Sequence, residues 1–365
     1  MLILRIMAIL IGILIIAYTF LAATNTFVLP RSVPVFLTNL VFRWMRRLFN
    51  QLVNLLPTYE QKDRLMALYA PLSLLCLVPT WLLMTAVGYT LLYWGLGVAP
   101  VWDAFYLSGS SILTLGFASA ESRLVTILAF TEATMGLILV AMLISYLPTM
   151  YAAFSKRETA VSLLDVRAGE PPTTPELVWR LFSMRQAIDL NSFWESWELW
   201  FTEIDESHTS LAALVFFRSP LPHQSWVNTA GVVLDGASFI LAAVTEPTPH
   251  PALTIRAGNQ ALRHIADFFQ VAYNPDPHFP ADPIAVTRQE FEQAYDRLLA
   301  QGVSLRPDRD LAWQNFAGWR VNYDSVLRAL AQLTMAPETT WLSDYTFVPH
   351  DPKNGRTGGE LQKVA

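Results

Sequence analysis

The chain has 365 residues, of which 53% are hydrophobic and 15% charged, with a formal net charge of −5. Soluble domains carry about a quarter charged residues, so this composition excludes a protein that is soluble along its whole length. The small negative charge, without long runs of Lys and Arg, excludes a typical nucleic-acid-binding surface. Its one cysteine, Cys76, can form no intrachain disulfide and supplies no cysteine-based zinc site.

No charge occurs between Arg5 and Arg31, and Ile6 to Ala23 is long and apolar enough to cross a hydrocarbon core. A membrane helix is therefore expected within residues 1–30. A signal peptide cleaved after 1–23 is the alternative, because Arg5 precedes the apolar run and Ala22-Ala23 resembles a cleavage zone. Residues 31–64 follow as an interfacial segment. Within it, Val35 to Leu56 mixes apolar residues with Arg43, Trp44, Arg46 and Arg47, which suits an amphipathic helix lying on the membrane as an anchoring collar. Lipid sensing or coupling to a gate is the other use of such a helix.

Residues 65–156 contain two further spans, Leu72–Leu96 and Leu124–Ser155, the second interrupted by Glu132. Arg43, Arg46, Arg47, Lys62 and Arg64 precede this pair, and Lys156 and Arg157 follow it. The positive-inside rule places both clusters in the cytoplasm and the N-terminus outside. The charges downstream of the first span thus favour a retained helix over a cleaved signal.

Between these spans lies Ser110-Ser111-Ile112-Leu113-Thr114-Leu115-Gly116-Phe117-Ala118-Ser119, preceded by an aromatic run that opens with Trp102 and Asp103. Non-helical backbone at membrane depth is tolerated only where protein buries it or it lines a water-filled path. A short helix is expected to start near Asp103, whose carboxylate would accept bonds from open N–H groups. Its partially negative C-terminus, near Leu113, would favour a cation. The Thr114 hydroxyl and the carbonyls of Leu115 to Ala118 would then replace a hydration shell. By composition alone, the stretch also suits an ordinary loop outside the membrane.

Thr114-Leu115-Gly116-Phe117-Ala118, flanked by spans, resembles the selectivity filter of the two-transmembrane pore-loop potassium channel family. The likeness covers about Leu65 to Lys156, less than a third of the chain. It implies an all-α membrane protein with a pore-loop cation channel core, assembled as a homotetramer; to this core the apolar run near the N-terminus adds a transmembrane helix, and residues 176–349 add a mainly helical cytoplasmic domain. It implies a filter at Thr114, Leu115, Gly116, Phe117 and Ala118, and an inner-helix gating glycine at Gly136. K+ would be the ion in the pore, with no other cofactor. Ala118 stands where the family has glycine, Ser119 where it commonly has aspartate, and Phe117 lacks a tyrosine hydroxyl. A left-handed backbone at Ala118 would cost roughly 1–2 kcal/mol.

Glu132, an ionisable residue inside an apolar span, is a functional candidate. It is expected to brace the pore helix through Ser110 or Ser111, to tune gating or to attract cations. Glu121, nearer the outer mouth, reads as a solvated carboxylate. Pro148 removes a backbone donor near the end of the third span and marks either an inner gate or a fixed bend.

Residues 157–175 read as a linker, 176–349 as a helical cytoplasmic domain and 350–365 as a flexible tail. Trp194, Trp197, Trp200 and Phe201 recur at helical spacing and are expected in a core. Thr287 and Glu290 form a capping-box signal, and Arg309–Leu333 is a helix candidate. Val227–Val244 is marginal as a span and reads better as part of a buried hairpin. The six histidines show no metal-ligand spacing, and no catalytic constellation appears.

The combined reading is a passive cation channel of the plasma or inner membrane, a homo-oligomer without enzymatic activity or nucleic-acid partner. Its cytoplasmic domain would serve an unidentified ligand or protein. The alternative is a non-conducting receptor or scaffold that keeps a pore-like core.

Overall fold

The computed structural model describes residues 2–28, 35–119, 122–184, 189–246 and 250–337, with a strand pair in which Tyr345–Thr346 runs antiparallel to Gln362–Lys363. Glu121 and, apart from Gln362–Lys363, the expected tail 350–365 lie outside the described residues. The architecture is all-α. Helices α1 (Leu2–Phe27), α2 (Phe36–Val53), α3 (Tyr59–Ala67), α4 (Tyr69–Gly95), α5 (Val101–Ile112) and α6 (Arg123–Ala168) are followed by α7 (Thr174–Ser183), α8 (Leu190–Ser210), α9 (Trp226–Ala243), α10 (His250–Phe268), α11 (Arg288–Ala300) and α12 (Arg309–Thr334).

Four described stretches are long and apolar enough to cross a membrane: Leu2–Phe27, Tyr59–Gly95, Arg123–Ala168 and Trp226–Ala243. In the first three, protein covers 28%, 44% and 22% of the most apolar window, which leaves apolar surface of the kind lipid covers. In α9 the figure is 94%. A helix apolar on every side and wrapped by its own domain is a core helix. The chain is a multi-pass α-helical membrane protein with a large additional helical region.

The fold divides into two compact units, residues 1–51 with 68–152, and residues 52–67 with 153–365. The segment expected over 31–64 is thus shared between them.

In the first unit, α1 and α4 run antiparallel at close range because glycines remove side chains from their seam. A Cβ on Gly12 would stand 2.6 Å from the Gly88 carbonyl oxygen, and one on Gly95 would stand 2.8 Å from that of Arg5. Small residues let membrane helices approach until dispersion and backbone contacts hold them. Phe27 adds an edge contact to the buried Trp81 at 5.0 Å between ring centroids.

In the second unit, α9 is enclosed by α7, α10 and α12, and α8 packs on α10. The aromatic residues expected in a core (Trp194, Trp197, Trp200 and Phe201) are all buried there. So is a charged network. Arg320 of α12 pairs with Asp235 of α9 and donates to Asp324 at 3.0 Å. Tyr323 donates to Asp235 at 2.8 Å and shares a hydrogen bond with Ser238 at 2.9 Å. A buried charge persists only when paired in this manner. Burial lowers and Asp235 raises the Arg320 pKa; the carboxylate prevails and the guanidinium stays charged.

Caps follow the sequence signals. Thr287 and Glu290 close a reciprocal box on α11, and Asp308 accepts from Leu311 N at 2.9 Å to start α12. The last helical turn of α6 closes at Gly169, with φ 87° and its N–H bonded to Asp165 O at 2.9 Å. A left-handed glycine is a common helix stop. Because α6 continues to Ala168, much of the expected linker 157–175 is helix. In this continuation the Arg157 guanidinium is buried and donates to Leu214 O at 2.9 Å and Phe217 O at 2.7 Å.

Arg218 gathers the rest of this unit. It donates to Asp63 of α3 at 2.5 Å and to the Thr334 and Met335 carbonyls at the end of α12, both at 2.9 Å.

Candidate functional site

The site is built on α5, whose twelve residues span about 18 Å, roughly half a hydrocarbon core. Its apolar face packs on α4 and α6 through Ala104, Leu107, Tyr89, Leu92, Tyr93 and Val125. Pro100 occupies the N-cap and makes no side-chain cap bond. Asp103 therefore does not cap α5 as expected. It is exposed in the first turn, where a carboxylate still meets the positive end of the helix dipole.

The helix ends at Ile112 and the chain turns back on it. Thr114 and Gly116 take left-handed backbone conformations, with φ 53° and 75°. Glycine adopts that region freely, whereas a β-branched threonine there is an outlier. Ala118 is not among the positive-φ residues, so the strain expected at this alanine does not arise.

Ser110 organises the return. Its carbonyl accepts from Leu115 N at 2.8 Å and more weakly from Gly116 N at 3.4 Å, and its hydroxyl accepts from Ala118 N at 3.1 Å. One α5 residue thus satisfies three loop N–H groups. Ser111 instead bonds within its own helix, to Leu107 O at 2.9 Å. Phe117 lies 5.5 Å from the Tyr106 ring. The residues Thr114 to Phe117 are exposed in the single chain, and Ala118 is half-buried.

Beneath the loop, Glu132 of α6 is fully buried. It accepts from Tyr93 of α4 at 2.7 Å and from Ser108 of α5 through a short bond. Glu132 thus bonds directly to Ser108 of α5 and to Tyr93 of α4, and not to Ser110 or Ser111 as expected. The reason is helical phase: Ser108 shares the buried face with Ala104 and Leu107 and stands opposite α6. Sequence reasoning missed Ser108, although a serine on an otherwise apolar face was the available signal.

Gly136, one turn beyond Glu132, lies under the C-terminus of α5. A Cβ there would come within 2.5 Å of the Ile112 carbonyl oxygen. The glycine is thus required for close approach of the two helices, whatever its part in bending. Pro148 is exposed within α6, and the helix continues twenty residues past it.

The structure therefore brings together the loop 114–118, Ser110, Glu132 and Gly136, and leaves Asp103 and Pro148 away from this cluster's hydrogen bonds. Among the described residues, no group of three or more His, Cys, Asp or Glu side chains is placed to hold a metal ion. No family model, no curated protein and no solved structure matches the chain.

Proposed function

We propose that the chain is the subunit of a passive cation channel, with potassium the first ion to test. Four copies would surround an axis lined by the loop 114–118 and by α6, and the chain would act as a conductor, not an enzyme. The observation that carries this reading is the half-membrane helix α5 with its Ser110-anchored return, suspended between two membrane-length helices. N–H groups taken up by Ser110 leave carbonyl oxygens to meet a dehydrated cation. The Thr114 hydroxyl would add a ligand, and the C-terminal end of α5 would lower the energy of positive charge nearby. Glu132 would hold α5 in place from behind. Placement in the plasma or inner membrane, with the N-terminus outside and residues 176–349 in the cytoplasm, follows from the flanking arginines and lysines.

Ala118 and Ser119 favour a second reading, a non-conducting receptor or scaffold whose helical domain binds a partner. The two are separated by the reversal potential of the purified chain in lipid bilayers under opposed potassium and sodium gradients. Current reversing near the potassium equilibrium potential is the expected result. Reversal near zero would demote potassium selectivity, and silence beside an active control would favour the scaffold.

A further inference from the structure

We propose that the outer face of α2 is a docking surface for anionic phospholipid headgroups of the bilayer that the chain spans. The proposal rests on the membrane-spanning reading and not on conduction.

Within the first unit, α2 is pinned to the ends of two membrane-length helices. Thr38 of α2 shares a hydrogen bond with Thr26, near the C-terminus of α1, at 2.9 Å. Tyr69, the first residue of α4, donates to Phe42 O at 3.3 Å. The Tyr69 ring is flanked by Phe49 at 5.7 Å and by the Arg46 guanidinium at 5.4 Å. One side of α2 is thus committed to the point where the chain leaves one span and enters the next. That point is a membrane boundary, whichever leaflet it faces.

The other side carries two parallel stripes. Trp44 and Leu48, four residues apart, are 62% and 49% exposed. Beside them runs a polar stripe of Asn39, Arg43, Arg47 and Asn50, all exposed. The Arg47 guanidinium lies over the Trp44 ring at 5.4 Å, which ties the stripes together. Phe36–Val53 contains three arginines and no Asp or Glu. An exposed indole and leucine beside cationic heads suit the layer where acyl chains meet phosphates. The cation row selects for negative charge in that layer, because each Lys or Arg near an anionic surface contributes separately to attraction. A protein partner would need its own apolar and acidic strip at the same depth, whereas the bilayer is already there.

The test uses the full chain reconstituted in phosphatidylcholine vesicles containing a minor fraction of brominated phosphatidylglycerol or brominated phosphatidylcholine. Bromine quenches indole emission on contact, and subtracting the Trp44→Phe variant isolates the Trp44 share. That share is expected to be quenched by both lipids, and by brominated phosphatidylglycerol at a several-fold lower mole fraction. Arg43→Gln and Arg47→Gln should each reduce the preference about fivefold, while Arg43→Lys and Arg47→Lys retain it. Equal quenching by the two lipids, a preference that survives the double glutamine variant, or a Trp44 share that neither lipid reaches overturns the proposal. Co-flotation of the chain with the vesicles checks the spanning reading separately; its failure would sink both.

Discussion

Thr114 sits at φ 53°, a conformation costing a non-glycine residue about 1–3 kcal/mol, and such strain persists where the surroundings enforce it. Thr114→Gly is therefore expected to raise the thermal midpoint of the detergent-purified protein, by about 1 kcal/mol of stability, while weakening ion discrimination through loss of the hydroxyl. A lower midpoint would mean that the threonine side chain stabilises the loop more than its backbone strains it. Glu132 presents the opposite case. Glu132→Ala takes from the buried Tyr93 hydroxyl its Glu132 acceptor, at about 1–3 kcal/mol, while the Ser108 hydroxyl keeps the Ala86 carbonyl at 3.1 Å. Glu132→Gln, which keeps an acceptor, should lose less in the same melting experiment. Equal losses would contradict the bracing role. At this scale the sequence showed which residues were unusual but not what they touch. A carboxylate in an apolar span is visible in one dimension, whereas Ser108 and Tyr93 lie 24 and 39 residues away and become its partners only through packing.

The elements were more legible than their contacts. Pro100 and the glycine-bearing turn bracket α5, uncharged intervals mark α1, α4 and α6, and Thr287 announces α11. The fate of α9 was harder to read, because apolar composition is the same whether lipid or protein surrounds a helix. Asp235 carried the difference: a carboxylate inside α9 requires a partner, and α12 supplies Arg320. A second buried polar cluster gives the helical domain a pH dependence. His208 of α8 is fully buried, and the N–H of Arg157 points at its Nε2 over 3.2 Å, a contact that requires a neutral ring. Burial, then the Arg157 charge, lowers the imidazole pKa well below its usual value. The unfolded chain thus binds a proton here that the folded chain refuses. Stability contributed by this residue is full above about pH 6.5 and falls as the pH drops below it, by at most about 1.4 kcal/mol per pH unit. Melting the full chain between pH 8 and pH 5 should show this slope, and His208→Gln, which keeps an acceptor for Arg157, should flatten it. An unchanged slope would assign the effect to another group.

At the scale of the whole molecule, Thr114 to Phe117 are exposed, and Phe130, Leu137 and Ile144 leave an apolar face on α6 uncovered. One chain supplies one copy of the loop, so the channel reading requires a symmetric ring. Native mass spectrometry of the detergent-released protein should find four copies, and a monomer at all working concentrations would exclude the pore. Neither the stoichiometry nor a partner of the helical domain is written in one chain's pattern, because both depend on surfaces that only another molecule completes. Arg218 adds a consequence for biosynthesis. Its partner Asp63 emerges 155 residues earlier. At about 5–20 residues per second, α3 waits on the order of ten to thirty seconds for its cation. During that interval α4 and the apolar part of α6 have already left the ribosome. Insertion of the membrane helices therefore precedes locking of α3, and the second unit closes only when the carbonyls at the end of α12 arrive.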